Sequence, residues 1–315
     1  MKIALLDYAT LGEDVDLSPL RTVGELFVYP YTTYEEMPRR IAGCQVVIAN
    51  KLKLNRDTLA AAENLKLICV TATGFDNVEL AYCQEKGIAL CNVPGYSTDA
   101  VAQLTAAMVL SLSTHLPEYR QFVHSGAYTA SGIPNRLTPV WQELSGKTWG
   151  ILGGGNIGRR VARIAEAFGC RVLMFRRQTD PEYETTDLDT ICREADILTV
   201  HLPLTDSTRN LLSAEKIAML KKNAIVVNVA RGAVADEEAL TRAIETGSIA
   251  ALGADAYTAE PFGPDHPFQR ILGCPNVCLT PHTAWGALEA RNRCIAMVAE
   301  NIRKFALGLP QNRIV

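Results

Sequence analysis

Trp149-Gly150-Ile151-Leu152-Gly153-Gly154-Gly155-Asn156-Ile157-Gly158 is the stretch on which the reading of this chain turns. A short apolar run meets the spacing G-x-G-x-x-G at Gly153, Gly155 and Gly158, and a helical pattern follows over residues 156–168. By itself the hexamer is weak, because glycine-rich turns recur by chance and a plain βα turn also uses glycine. Its surroundings make it specific: strand, turn, helix and a second strand from Arg171 form the unit that binds a dinucleotide. Gly153 permits the tight turn, Gly155 lets a pyrophosphate approach the backbone, and Gly158 lets helix and strand pack closely. Free N–H groups at the helix start, around Asn156 and Ile157, then face the phosphate charge.

Working outward, short β-rich runs alternate with helical patterns along nearly the whole chain. On the C-terminal side, strands are predicted at 148–152, 171–175, 197–201, 224–229, 250–254 and 277–279, with helices at 156–168, 188–194, 213–219 and 236–246. On the N-terminal side, strands are predicted at 2–7, 25–29, 45–50, 66–71 and 88–92, with helices at 34–43, 56–62 and 78–86. Strands of this length separated by helices build parallel sheets. Residues 98–113 predict a helix apolar on most sides, buried between layers, and 125–140 an irregular excursion. Residues 288–307 predict an amphipathic helix with Leu288, Ile295, Val298, Ile302 and Phe305 on one face. The fold class is α/β, with two doubly wound parallel sheets.

Length and composition agree. At 315 residues the chain makes two domains or one large one, and 48% apolar with 21% charged residues suits a globular protein. A net charge of −3 gives no global attraction to nucleic acid or an anionic membrane. An acid at Asp7 interrupts the N-terminal apolar run before a signal-peptide core can form, and no apolar stretch reaches the ~18 residues that span a bilayer. The nine cysteines are scattered in apolar runs without a CxxC pair, so reduced thiols in the cytoplasm are expected and no metal site is.

The strand after the glycine turn bears on the cofactor. Dinucleotide folds that select NAD place an acid about 20 residues on, against the ribose 2′-hydroxyl. Here Phe175 is followed by Arg176 and Arg177, with no acid before Asp180. Two guanidiniums suit a 2′-phosphate, so NADP(H) is the preferred cofactor and NAD(H) possible; an idle exposed arginine pair is the plainer alternative.

Three later segments each place one polar residue after a strand: Arg231 in Asn228-Val229-Ala230-Arg231-Gly232, Glu260 in Asp255-Ala256-Tyr257-Thr258-Ala259-Glu260-Pro261, and His282 in Thr280-Pro281-His282-Thr283-Ala284. Alone, each is more often a surface ion pair, a solvated acid or a structural histidine. Beyond the carboxyl ends of strands that also hold a dinucleotide turn, they form a set for carbonyl reduction. A cation (Arg231) binds the substrate, an imidazole (His282) gives the proton, and Glu260 beside it favours the imidazolium.

In this order the segments resemble the D-isomer-specific 2-hydroxyacid dehydrogenase family, over nearly the whole chain. The likeness extends to Thr73-Gly74-Phe75-Asp76-Asn77-Val78 and Val93-Pro94-Gly95-Tyr96-Ser97. The subgroup of glycerate dehydrogenases and hydroxypyruvate reductases is the nearest by Asn50-Lys51, by residues 97–103, and by His282-Thr283-Ala284-Trp285 with Glu289-Ala290-Arg291. The resemblance implies a Rossmann-type cofactor domain, 98–286, inserted into a flavodoxin-like substrate domain of 1–97 plus 287–315. It implies substrate in the cleft, with Arg231, Glu260 and His282 catalytic and Lys51, Thr73 and Gly74 binding the substrate. Thr105, His201, Pro203, Thr208 and Ala230 would line the cofactor, with Asp255 near the nicotinamide carboxamide. A homodimer through 98–140 is also implied. Arg176 departs from the usual ribose-binding acid, and Gln103 stands where many relatives carry Glu. A small 2-oxo acid, hydroxypyruvate or glyoxylate, is the expected substrate. The competing readings are a dinucleotide-sensing scaffold or corepressor-like protein, and a relative acting on another small acid such as phosphite or formate.

Overall fold

The computed structural model describes residues 1–315 and packs as two compact units, Met1–Ser97 with Trp285–Val315, and Thr98–Ala284. The first unit holds β1 (Lys2–Leu5), β2 (Glu25–Val28), β3 (Val46–Ala49), β4 (Leu67–Val70) and β5 (Ala89–Cys91) in the order β2-β1-β3-β4-β5, every pair parallel. β3 and β4 are buried at every position, as runs such as Val46-Val47-Ile48-Ala49 require when both sheet faces are covered. The helix Leu288–Ala306 packs on β4 and on the short helix Ser18–Arg21.

The second unit holds β6 (Thr148–Leu152), β7 (Arg171–Phe175), β8 (Glu184–Thr185), β9 (Ile197–Val200), β10 (Ile225–Asn228), β11 (Ala251–Ala254) and β12 (Val277–Leu279). Their order is β12-β11-β10-β9-β6-β7-β8, again all parallel. The order reverses between β6 and β9, the switch point where doubly wound sheets bind ligands beyond their strand ends. One core, with Leu152, Leu198, Val226 and Phe268, lies on one face; another, with Met108, Trp149, Val161 and Val227, lies on the other.

Several local expectations are corrected. Residues 56–62 form turns rather than a helix: Asn55 and Thr58 exchange side-chain-to-amide bonds of 2.9 and 3.0 Å as at a helix start, and the Leu59 amide reaches the Asn55 carbonyl, but the next bonds, Ala62 to Leu59 and Leu65 to Ala62, span only three residues. Only Met37–Ile41 of the helix expected at 34–43 forms. The helix Leu116–His124, opened by Pro117 in its first turn, and the helix Ala127–Ser131 occupy ground expected to be unassigned or irregular. The helix Thr98–Ser113 buries one face, through Val101, Ala102, Thr105, Met108, Val109 and Leu112, while Gln103 and Ala107 are exposed. On the last helix Ile295, Val298 and Ile302 are buried, but Leu288 is exposed at its first turn and Phe305 half-buried near its end.

Candidate active site

At the end of β6 the chain turns through Gly153, whose φ of +109° suits only glycine and whose added Cβ would lie 2.9 Å from the His201 carbonyl. A Cβ at Gly158 would sit 1.9 Å from the Gly153 oxygen, so the helix Asn156–Ala167 closes on the turn only without a side chain there. Gly155 differs: a Cβ there would meet nothing within 4 Å, and no side chain caps the helix it precedes. The backbone at Gly155 is thus open beside the helix start, and no side chain takes up the helix's first amides as a cap.

Arg176 follows β7 and lies along the same turn, since a Cβ on Gly154 would come within 2.9 Å of its Cδ. It is not an unpaired cation. Its Nη1 donates to Asp180, whose fully buried carboxylate also takes Arg159 Nη2 at 2.6 Å. Burial pushes Asp180 up, but the Glu182 amide and the two guanidiniums outweigh it and hold the carboxyl below its ordinary range. Arg177 is exposed, with Nη2 3.3 Å from Ser207 Oγ.

Across the switch point, the His201 amide donates to the Leu152 carbonyl at 2.7 Å. Its two ring nitrogens are buried without a hydrogen-bond partner, and burial lowers the imidazole to about 3, so it is neutral at physiological pH. Thr208 shapes the following turn, donating to the carbonyl of the exposed Pro203 at 2.6 Å. Thr105 is fully buried, its hydroxyl bonded to the Val101 carbonyl at 2.7 Å within its own helix. That bond takes its one proton and leaves the oxygen as an acceptor only.

The segments after β10, β11 and β12 pack together. Asn228 clasps the first: its Nδ2 donates to the Arg231 carbonyl at 2.9 Å and its Oδ1 accepts from the Ala230 amide at 3.0 Å. Gly232 then touches the Tyr257–Thr258 backbone, closer than any Cβ would allow. Glu260 Oε1 accepts from the Tyr257 amide at 3.0 Å, and its Oε2 lies 2.6 Å from His282 Nδ1. Both side chains are partly exposed, at 31% and 22%, which leaves them open to a ligand.

His282 has a φ of +51°, unusual for a non-glycine residue. Asp255, 1% exposed, fixes that turn: it accepts from Thr280 Oγ1 at 2.5 Å and from the Thr283 and Ala284 amides at 2.8 Å. The Tyr257 hydroxyl donates to the Thr280 carbonyl at 2.8 Å, and burial pushes its phenol up. Asn228 and Tyr257 are thus anchors that the sequence does not single out, and Asp255, expected as a cofactor contact, also fixes the His282 turn. A polar side chain at or directly after the end of a buried strand was the available signal for Asn228 and Asp255; Tyr257 carries none.

In the first unit, Lys51 follows β3 and Thr73 and Gly74 follow the adjacent β4. The buried Asp7 carboxylate accepts the Lys51 amide at 2.8 Å and the Asn50 amide at 3.0 Å, while the Lys51 side chain is exposed. Burial raises the Asp7 carboxyl above its ordinary value against those amide bonds. Asn92 Nδ2 donates to the Thr73 carbonyl at 2.8 Å, and the buried Asn301 Nδ2 in turn donates to the Asn92 carbonyl at 2.9 Å.

Comparison with known proteins gives these features a setting. The family described as "D-isomer specific 2-hydroxyacid dehydrogenase, NAD binding domain" matches residues 106–284. A hydroxypyruvate reductase of Blautia hydrogenotrophica is 33% identical, over 99% of this chain and 99% of its own. A glyoxylate reductase of Aeropyrum pernix is 37% identical over 90% of this chain and 86% of its own. Among solved structures, an acyclic imino acid reductase in complex with NADPH and D-Arg superposes with a TM-score of 0.86 at 25% identity, over 100% of both chains.

Proposed function

This chain belongs to the D-isomer-specific 2-hydroxyacid dehydrogenases, oxidoreductases that use a nicotinamide cofactor, and from that premise we propose that it reduces hydroxypyruvate or glyoxylate. The observation that carries the reading is the 2.6 Å contact between Glu260 and His282 beside the Arg231 turn. A bound nicotinamide would supply or accept the hydride. Arg231 binds the substrate carboxylate and polarises its carbonyl, and His282 Nε2 gives the proton to the developing alkoxide. Glu260 holds the opposite ring nitrogen and offsets the imidazolium charge. Lys51 and the Thr73–Gly74 backbone are the substrate contacts offered by the first unit. The open approach at Gly155 and the uncapped helix behind it suit a pyrophosphate. Ala230, His201, Pro203 and Thr208 line the rest of the cofactor, and Asp255 serves the same region through the turn it fixes.

NADP(H) is the preferred cofactor on this reading, because Arg176 and Arg177 directly follow β7, where an acid would serve NAD(H). The pairing with Asp180 leaves the other guanidinium nitrogens of Arg176 for a 2′-phosphate. We further propose a homodimer in the cytoplasm. Leu116, Val123, Ile133, Leu137, Val140 and Trp141 are all at least half exposed, an apolar display that a second copy would cover, and the nine cysteines are unpaired thiols. Sedimentation of the protein and of Trp141→Glu tests the dimer; a monomer in both removes it.

Absorbance of NADPH and NADH is followed with hydroxypyruvate, glyoxylate, pyruvate and bulkier 2-oxo acids. Turnover is expected to be fastest with hydroxypyruvate and glyoxylate. No turnover with any would overturn the assignment. Cofactor binding that survives in His282→Gln without any rate in either protein would favour a dinucleotide-sensing scaffold.

A further inference from the structure

The helix Glu237–Glu245 begins with a carboxylate that has no business with its own helix. Glu237 is 7% exposed, and its Oε1 accepts the Thr258 amide at 3.0 Å. Its Oε2 accepts the Thr258 hydroxyl and lies 3.1 Å from His266 Nε2. The other ring nitrogen of His266 accepts the Phe268 amide at 3.2 Å, so the proton sits on Nε2 and is donated to Glu237. The side chains of this pair are 6% and 5% exposed, and the imidazole stacks on Phe262 with ring centres 4.7 Å apart. Three donors converge on one buried carboxylate, and all belong to the loop that carries Glu260.

We infer that Glu237 and His266 are positioning residues that hold the 257–268 loop in the one register where Glu260 meets His282. This rests on the catalytic reading given above. Thr258 is two residues from Glu260, and the Tyr257 amide, one residue earlier, is bonded to Glu260 itself. A shift of the Thr258 anchor therefore moves both the backbone and the donor that fix the Glu260 carboxylate. Hydroxyacid chemistry would feel it as lost orientation, since displacements of about 1 Å can cost ~10²-fold in rate.

Glu237→Gln keeps the shape but turns an amide nitrogen toward one or both of the Thr258 hydroxyl and His266 Nε2–H, donors facing a donor. In the NADPH-bound protein, exchange of the Tyr257 and Thr258 amides with deuterium is expected to rise at least ~10-fold, with the Gly153–Gly158 turn unchanged. kcat/KM for the best 2-oxo acid is expected to fall ~10–100-fold, mostly in kcat, with the NADPH Kd unaltered. In a Glu260→Gln background the same substitution should cost less than ~3-fold, because its route of action is already removed. His266→Gln, whose amide can replace the Nε2–H donor, should retain more rate than His266→Asn, which cannot, and this pair serves if Glu237→Gln fails to fold. Equal losses in both backgrounds, or unchanged amide exchange in a folded variant, would overturn the inference. Absent turnover in the unmodified protein would instead defeat the enzymatic reading, leaving the exchange result to judge the anchor.

Discussion

Glu260 and His282 stand 22 residues apart in the chain, yet Oε2 of one and Nδ1 of the other lie 2.6 Å apart. Neighbouring strands achieve this, because β11 and β12 are paired in parallel and both residues follow their carboxyl ends. Glu260→Gln keeps a partner for the ring but removes the charge that offsets an imidazolium. We expect kcat/KM to fall ~10²-fold, and His282→Gln to fall ~10²–10⁴-fold, with cofactor affinity retained in both. Steady-state kinetics with fluorescence titration of NADPH checks this; a loss confined to cofactor binding would contradict it.

Asp255 supports that contact from beneath. Its carboxylate faces three donors, so in Asp255→Asn the amide nitrogen must face at least one of them. A destabilisation of about 2–3 kcal/mol is expected from the unpaired buried donor. Urea unfolding measures it, and a variant as stable as the parent would show that the turn does not depend on the charge.

His201 makes stability depend on acid. Burial lowers its imidazole from 6.5 to about 3, so between those values the unfolded chain binds a proton that the folded chain refuses. Its contribution is complete above the unfolded value and falls as pH drops through the window, by up to ~1.4 kcal/mol per pH unit. His201→Gln should remove one proton from the slope of unfolding free energy between about pH 6 and 4. Identical slopes in the two proteins would refute the assignment to this residue.

Arg176 carries the cofactor preference. Removing its charge-assisted bonds, each worth about 1.5–3 kcal/mol, should raise the NADPH KM ~10–100-fold in Arg176→Ala and the NADH KM by less than ~3-fold. Paired titrations of both cofactors test it. A parent protein that uses the two equally would end the argument before any mutation is made.

The sheets were legible because strands covered on both faces must be continuous apolar runs; 148–152, 171–175 and 277–279 coincide with the observed strands to the residue. Segment 56–62 misled because a helix does start there, with the reciprocal bonds of Asn55 and Thr58 and one full turn to Leu59, but the chain leaves helical pairing at Ala62, a stop that periodicity does not mark. The glycine spacing and the chemistry-bearing side chains could be read, since each has a characteristic residue type. The clamps could not. Asp255 acts on amides 28 and 29 residues away and Glu237 on one 21 residues away, and backbone donors leave no mark in sequence. The opposite case is Arg176, whose residue type was plain but whose partner, Asp180, was visible only as the first acid after it.

The asparagine relay behind Thr73 has a consequence for biosynthesis. Asn301 donates to Asn92, which donates to Thr73, so the turn after β4 leans on a helix made much later, the two asparagines being 209 residues apart in the chain. The middle unit, Thr98–Ala284, is contiguous and can fold while the ribosome is still translating. The five strands of the first sheet all lie within residues 1–97, but the face of β4 that the helix Leu288–Ala306 covers stays open until that helix has been made. Residues 1–97, made before the contiguous unit, thus complete their packing after it, and that interval is when a chaperone would have most to hold.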